Sequence, residues 1–440
     1  MLHPTFSGIF YFRCMREDLI HYIWKNGKIP FANLYTSRRK ALQIISLGIH
    51  NFDSGPDFFH AQLEIDGQIW VGNVEIHVKS SDWYAHQHNL DTNYDNVILH
   101  VVWEEDKVVY RKNKEEIPAL ELKNFIPGSI LTNYYKLFKS SKDNFINCEN
   151  DLYTIDNFKF SSWLERLYFE RLEEKSNEIN RLLIEAENDW EKVLFILLLK
   201  NFGLKLNSEA FLSLGRALEF GIVRKLMRNV FQLESVLFGL AGLLDNVSSR
   251  DKVLNQMKVE YFYLRDKFRI NEEGVQSPSF FRLRPANFPT IRLSQLANLY
   301  VKRPQLFGAI MTIKEISQAY EIFNISTSNY WKNHYVFGKL STKRENRLTR
   351  TFINLLLINT ILPMIFCFSK WQGIDVSSRI ISIINTLKSE DNKIIRKFNN
   401  LGVNCSNAMD SQAILQLYNT YCTKNRCLEC VVGDSLLKGK

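Results

Sequence analysis

The sequence predicts an α+β (α/β-like) chain, with a small amino-terminal mixed sheet domain followed by a large all-α domain. Three observations carry this expectation. Residues 41 to 106 alternate apolar and polar side chains in twos, the period of a strand. No proline occurs between Pro127 and Pro278, an interval rich in Leu, Glu, Lys, Phe and Arg, which are mostly good helix formers. Only 19 glycines and 10 prolines occur in 440 residues, too few for a turn-rich all-β design.

The elements follow in order. MREDLIHYIWK, from Met15, opens a helical pattern over residues 16 to 25 with Leu19, Ile20, Ile23 and Trp24 on one side, which leaves residues 1 to 14 as a candidate extension. Strands are expected in ALQIISLG, AQLEI, QIWVGNVEIHVK and NVILHVVWEE, and Asp66-Gly67 between the second and third is a two-residue hairpin signal. From Thr154, TIDNFKFSSWLERLYFERLEEK supplies cap residues and then an amphipathic run. The expected division is therefore a sheet domain over 15 to 150 and a helical domain over 151 to 440. Ile179, Leu182, Leu183, Ala186 and Trp190 recur at the spacing of one helical face. Residues 278 to 304 carry four prolines and five bases, Arg282, Arg284, Arg292, Lys302 and Arg303, and read as an ordered basic connector. The apolar run Phe352 to Phe368 is interrupted by Asn354, Asn359 and Pro363, and reads as a buried helix rather than a membrane span.

A length of 440 residues excludes a small stapled module, and 45% hydrophobic content excludes disorder. Seven sparse cysteines do not make a secreted disulfide framework, and MLHPTFSGIFYFRCM lacks the basic leader and cleavage site of a signal peptide, so a cytoplasmic location is expected. The net charge of +9 is unevenly spread: residues 1 to 150 carry −2 and the remainder +11. If nucleic acid is the partner, the helical part would grip its phosphates, with the five bases of the connector as candidates.

Chemistry concentrates in the sheet. Six of nine histidines, His50, His60, His77, His86, His88 and His100, fall in 51 residues, and residues 51 to 106 hold eleven acidic groups against Lys79 alone. Carboxylate and imidazole together suit a hard or borderline cation. In Asn73-Val74-Glu75-Ile76-His77-Val78-Lys79 the alternation puts Glu75, His77 and Lys79 on one face. Asp57, after Gly55-Pro56, can approach that face once the hairpin folds back, and His86-x-His88 with His100 offers further ligands.

A Pro-Asp at a strand start, a hairpin, then Glu-x-(basic) on the next strand resembles the PD-(D/E)XK nuclease superfamily. The resemblance implies a restriction-endonuclease-like core and a Mg- or Mn-dependent nuclease, a phosphodiester hydrolase. Asp57 and Glu75 would be the metal ligands, with Glu17 a third candidate carboxylate. His77 stands where that family has lysine, and Lys79, one same-face step on, could take over. The departure at His77 also leaves open a non-catalytic nucleic-acid-binding or scaffold protein on a relic fold, or another His/Asp metallohydrolase. Across the longer chain, GPDFF, GNVEIHVKSSDWYAHQH, YDNVILHVV, RLRPANFPTIRLSQLA, YWKNHYVFGK and QAILQLYNTYCTKNRCLEC resemble the bacterial domain of unknown function 2851 family, from about Met15 to near the carboxyl terminus.

Cys422-x4-Cys427-x2-Cys430 places three thiols in nine positions, and Cys405 is the expected fourth ligand of a zinc or iron–sulfur site. Cys14, Cys148 and Cys367 sit in aromatic or apolar settings and read as packed thiols.

Overall fold

The computed structural model describes residues 15–30, 33–139, 144–245 and 251–439. The candidate extension at residues 1 to 14 lies outside them. The chain divides into two compact units. The first runs to Phe160 and takes in Tyr418–Lys440, so the carboxyl-terminal segment belongs with the sheet and not with the helical domain. Tyr22 donates its hydroxyl to Asp434 at 2.6 Å and Asn133 its amide to the Leu437 carbonyl at 3.2 Å, which is how that segment is tied down.

The first unit is built on one mixed sheet of β1 (Leu34–Tyr35), β2 (Ala41–Ser46), β3 (Ile49–His50), β4 (Phe58–Ile65), β5 (Gln68–Lys79), β6 (Val97–Glu104) and β7 (Ala119–Glu121). Its order is β1-β2-β4-β5-β6-β7, with β3 pairing on β4. β2, β4 and β5 form an antiparallel meander, whereas β6 runs parallel to β5 and β7 parallel to β6. The β4–β5 turn is the expected one: Asp66 and Gly67 both take positive φ, 50° and 81°, as the twist of a two-residue hairpin requires. α1 (Glu17–Lys25) buries Leu19, Ile20, Ile23 and Trp24 in a core with Val74, Ile76, Leu99 and Val101. α2 (Asp82–Ala85) and the segment after it build a second small core of Trp83, Tyr94, Val97, Val109 and Ile117. β5 is therefore covered on both faces, and its polar positions Glu75 and His77 are buried. α3 (Gly128–Phe138) adds Tyr134 to the larger core.

The second unit, Ser161–Leu417, is helical apart from one short hairpin at His334–Val336 and Lys339–Leu340 among the described residues. α4 (Asn157–Glu185) opens with the Asp156 carboxylate accepting from the Lys159 N–H at 2.9 Å, a cap that ends the preceding loop. The expected helical face through Trp190 is broken: Glu187 and Asn188 take positive φ, and Asp189 caps a new helix at Trp190–Phe202. The basic connector also differs from expectation. Pro289 sits at the first position of a 14-residue helix, Pro289–Lys302, where its missing N–H costs nothing, and that helix is almost wholly buried. The apolar run lies in a 22-residue helical stretch, Arg350–Trp371, long and apolar enough to cross a membrane, yet 67% of its most apolar window is buried within the protein. A π-turn at Leu357–Ile361 precedes Pro363, which cannot donate to the Ile358 carbonyl; the ammonium of Lys175 takes that carbonyl at 3.0 Å instead.

Candidate metal centre

Asp57 and Glu75 come together as the hairpin requires. Phe58 pairs with Val74, so Asp57 lies opposite Glu75 at the mouth of β4. The two are locked reciprocally: the Asp57 N–H donates to Glu75 Oε2 at 3.2 Å, and the Ile76 N–H donates to Asp57 Oδ2 at 2.8 Å. Asn51 shapes the approach. Its side-chain amide donates to the carbonyls of Asp53, Ser54 and Pro56, while its backbone N–H donates to the Asp57 carbonyl at 2.8 Å.

α1 adds two groups one turn apart. His21 Nε2 lies 3.5 Å from Glu17 Oε1 and 3.5 Å from Asp57 Oδ2, so Glu17 joins the carboxylate pair through an imidazole. His21 was not singled out from the sequence. The signal available was its i,i+4 spacing from Glu17 on the polar side of an amphipathic helix.

The imidazoles gather beside the carboxylates. His88 Nε2 is 3.2 Å and His77 Nε2 3.6 Å from Glu75 Oε1. His77 Nε2 is also 3.0 Å from His86 Nδ1, and His77 Nδ1 is 2.8 Å from His100 Nε2. The ligand nitrogens of His77, His86 and His88 all lie within 4.8 Å of one another. Parallel pairing sets Glu75 against His100, which brings the buried β6 imidazole next to β5. The 82 to 95 segment delivers the rest: Asp106 accepts from the Ser80 and Ser81 hydroxyls, Trp83 anchors the core, and Tyr94 stacks on His88 with ring centres 3.8 Å apart.

Burial sets the protonation of this cluster. Desolvation, reinforced by the neighbouring Asp57 charge, pushes the Glu75 carboxyl up to about 9. Asp57 is raised as well, chiefly by burial. Burial and the adjacent His100 push His77 down to about 2, so it is a neutral imidazole. His21 moves the other way: burial opposes it, but its bonds to Glu17 and the Asp57 charge raise it. Two crowded carboxylates in a low dielectric call for a cation, and neutral imidazoles beside them are borderline nitrogen donors. The donor set fits a divalent ion. His77 Nδ1–H donating to His100 Nε2 would leave the His77 Nε2 lone pair for that ion, as outer-shell bonds do in metal centres. His100 Nδ1, fully buried, then holds its proton with no hydrogen-bond partner among the described residues.

Other expected residues stand elsewhere. Lys79 is exposed at the end of β5, its N–H given to Asp82, and it makes no ion pair with Asp57 or Glu75 among the described contacts. His50 packs on Phe58 and Phe52, and exposed His60 occupies the bulge of β4 with φ 58°. In the second unit Arg282, Arg284 and Lys302 are exposed, and half-buried Arg303 donates to the Glu321 carbonyl. Arg292 is corrected: only 6% exposed, it bonds Gln295 and Asn287 and lies over the Phe352 ring at 3.6 Å, so it has no face for a phosphate.

Cys422, Cys427 and Cys430 gather in the first unit, with Cys148 lining the same pocket. Cys405 belongs to the second unit, where its N–H meets Asn399 Oδ1, and is not among those lining residues. Cys148 therefore takes the place expected of Cys405.

Neither the curated proteins nor the solved structures offer a match to this chain. The family model for a protein of unknown function, DUF2851, matches residues 17–393, which include Glu17, Asp57, Glu75 and every histidine of the cluster. The chain belongs to the DUF2851 family.

Proposed function

We propose that this protein is a divalent-metal-dependent, nuclease-like phosphodiester hydrolase acting on nucleic acid. The observation that carries the reading is the interlocked Asp57–Glu75 pair at the mouths of β4 and β5, with Glu17 and His21 reaching it from α1. The element order supports it: a helix, an antiparallel three-strand meander, then a strand parallel to the third, with the carboxylates at the start of the middle strand and inside the third. That arrangement resembles the PD-(D/E)XK core. A bound Mg²⁺ or Mn²⁺ would supply an activated water and charge neutralisation at the phosphate.

The chain's own groups have distinct tasks. Asp57 and Glu75 hold the ion, and His88 orients Glu75. His77 cannot replace the family's lysine as a cation, because it stays neutral. His21, held towards its charged form beside Asp57, is the cationic group that faces the phosphate in its stead. Water adds to phosphorus as the ester P–O bond breaks, giving a phosphomonoester and an alcohol, with His88, beside Glu75, receiving the water's proton.

A second reading, a metallohydrolase centred on the histidines, is favoured by the convergence of His77, His86 and His88 within 4.8 Å. The two separate experimentally. Purified protein is incubated with mixed DNA and RNA in Mg²⁺ or Mn²⁺, alongside Asp57→Asn, Glu75→Gln and His86→Ala. Loss of cleavage in the carboxylate variants with activity kept in His86→Ala supports the nuclease-like reading. Equal activity in Asp57→Asn and the wild type sinks it. Salt-sensitive binding without turnover points to a non-catalytic binding protein instead.

A further inference from the structure

We propose that Cys148, Cys422, Cys427 and Cys430 together hold a thiolate-bound metal centre, zinc or an iron–sulfur cluster, that fastens the carboxyl-terminal segment to the amino-terminal unit. All four line one pocket, and its remaining surface is mostly apolar. They come from two stretches of chain more than 270 residues apart, both within the first unit.

The local backbone is arranged to present the sulfurs. Asn425, with φ 54°, turns the chain after Cys422, and the Arg426 N–H donates to the Tyr421 carbonyl at 2.9 Å. A second turn joins Cys427 to Cys430, whose N–H donates to the Cys427 carbonyl at 3.2 Å. Arg426 and Glu429 clamp that turn with a two-point ion pair at 2.8 and 2.6 Å. Gly433 lets the turn lie against the last helix: a Cβ there would come within 1.9 Å of the Cys427 carbonyl oxygen. Asn147, next to Cys148, donates its side-chain amide to Cys427 Sγ at 3.4 Å, and also to Asn425 Oδ1 at 3.1 Å. An N–H aimed at sulfur is one of the bonds that stabilise thiolate ligands of clusters. The described cysteines form no disulfide. A metal centre would supply the positive charge that four ionised thiols in an apolar pocket need.

Four thiolates can hold one tetrahedral zinc ion or, one to each iron, a [4Fe–4S] cluster. Metal content separates the two.

The test uses the full chain, produced in cells and purified anaerobically. Expected is either about one zinc per chain or about four iron and four acid-labile sulfide, the latter with visible charge-transfer absorption that bleaches on reduction. Cys148→Ser should lose most of that metal and Cys405→Ser should keep it. Neither metal in the wild type overturns the site. Full metal in Cys148→Ser, or loss confined to Cys405→Ser, overturns the ligand assignment. The wild-type metal content decides even if Cys148→Ser fails to fold.

Discussion

Glu75 illustrates how burial of a single carboxyl beside another can weaken a fold. Its carboxyl is buried beside Asp57 and favours the proton, with its folded value near 9 against an ordinary 4.5. A raised acid contributes stability that is full below its unfolded value and is lost as pH rises through the folded one. In chelator, the melting temperature should therefore fall between about pH 5 and 9, and Glu75→Gln should flatten that fall. At pH 8 Glu75→Gln should also raise metal-free stability by about 1 kcal/mol while abolishing the rise in melting temperature that Mn²⁺ gives the wild type. Thermal melts with and without Mn²⁺ check both halves. A less stable Glu75→Gln protein in chelator would contradict the like-charge account.

Among the elements, the loop before β4 is what holds Asp57 in place. Asn51 bonds three carbonyls and, through its backbone, Asp57. Asn51→Ala should weaken Mn²⁺ binding by about tenfold, as loss of an outer-shell group does, with little change in the protein's melting; calorimetric titration reads it. The Pro289–Lys302 helix gives a second contrast. Arg292→Ala should lower stability by about 2 kcal/mol or more, because it empties a buried cation site over Phe352. It should leave the salt dependence of nucleic-acid binding intact, whereas Arg282→Ala with Arg284→Ala should reduce that slope by about one phosphate each.

The strands and their hairpin were legible in the sequence because a period of two and an Asp-Gly pair are local signals. The pairing of Asp57 with Glu75 followed from that register. His21 was not legible, because its partner lies 36 positions away and meets it only when α1 docks on β5. Arg292 was misread for a related reason: its charge is visible in the sequence, but its burial depends on a helix that the prolines around it disguised. Cys148 carried no spacing signal towards residues 422 to 430, so proximity in sequence favoured Cys405.

At the scale of the molecule, the excess positive charge lies in the second unit, and the carboxyl-terminal segment belongs to the first. Removing Tyr418–Lys440 should destabilise the sheet unit, since it deletes Leu437 from its core and the Asp434 partner of Tyr22. The helical unit should keep its own cooperative unfolding, as calorimetry would resolve. Loss of both transitions together would show that the units do not fold separately.

The central claim is that Asp57 and Glu75 hold a divalent ion. Crystals soaked in Mn²⁺ test it by anomalous scattering. The account predicts a peak within bonding distance of an Asp57 and a Glu75 carboxylate oxygen, and its absence in Asp57→Asn. A peak on His77, His86 and His88 with neither carboxylate in contact, or no peak beside Asp57 and Glu75, would contradict it.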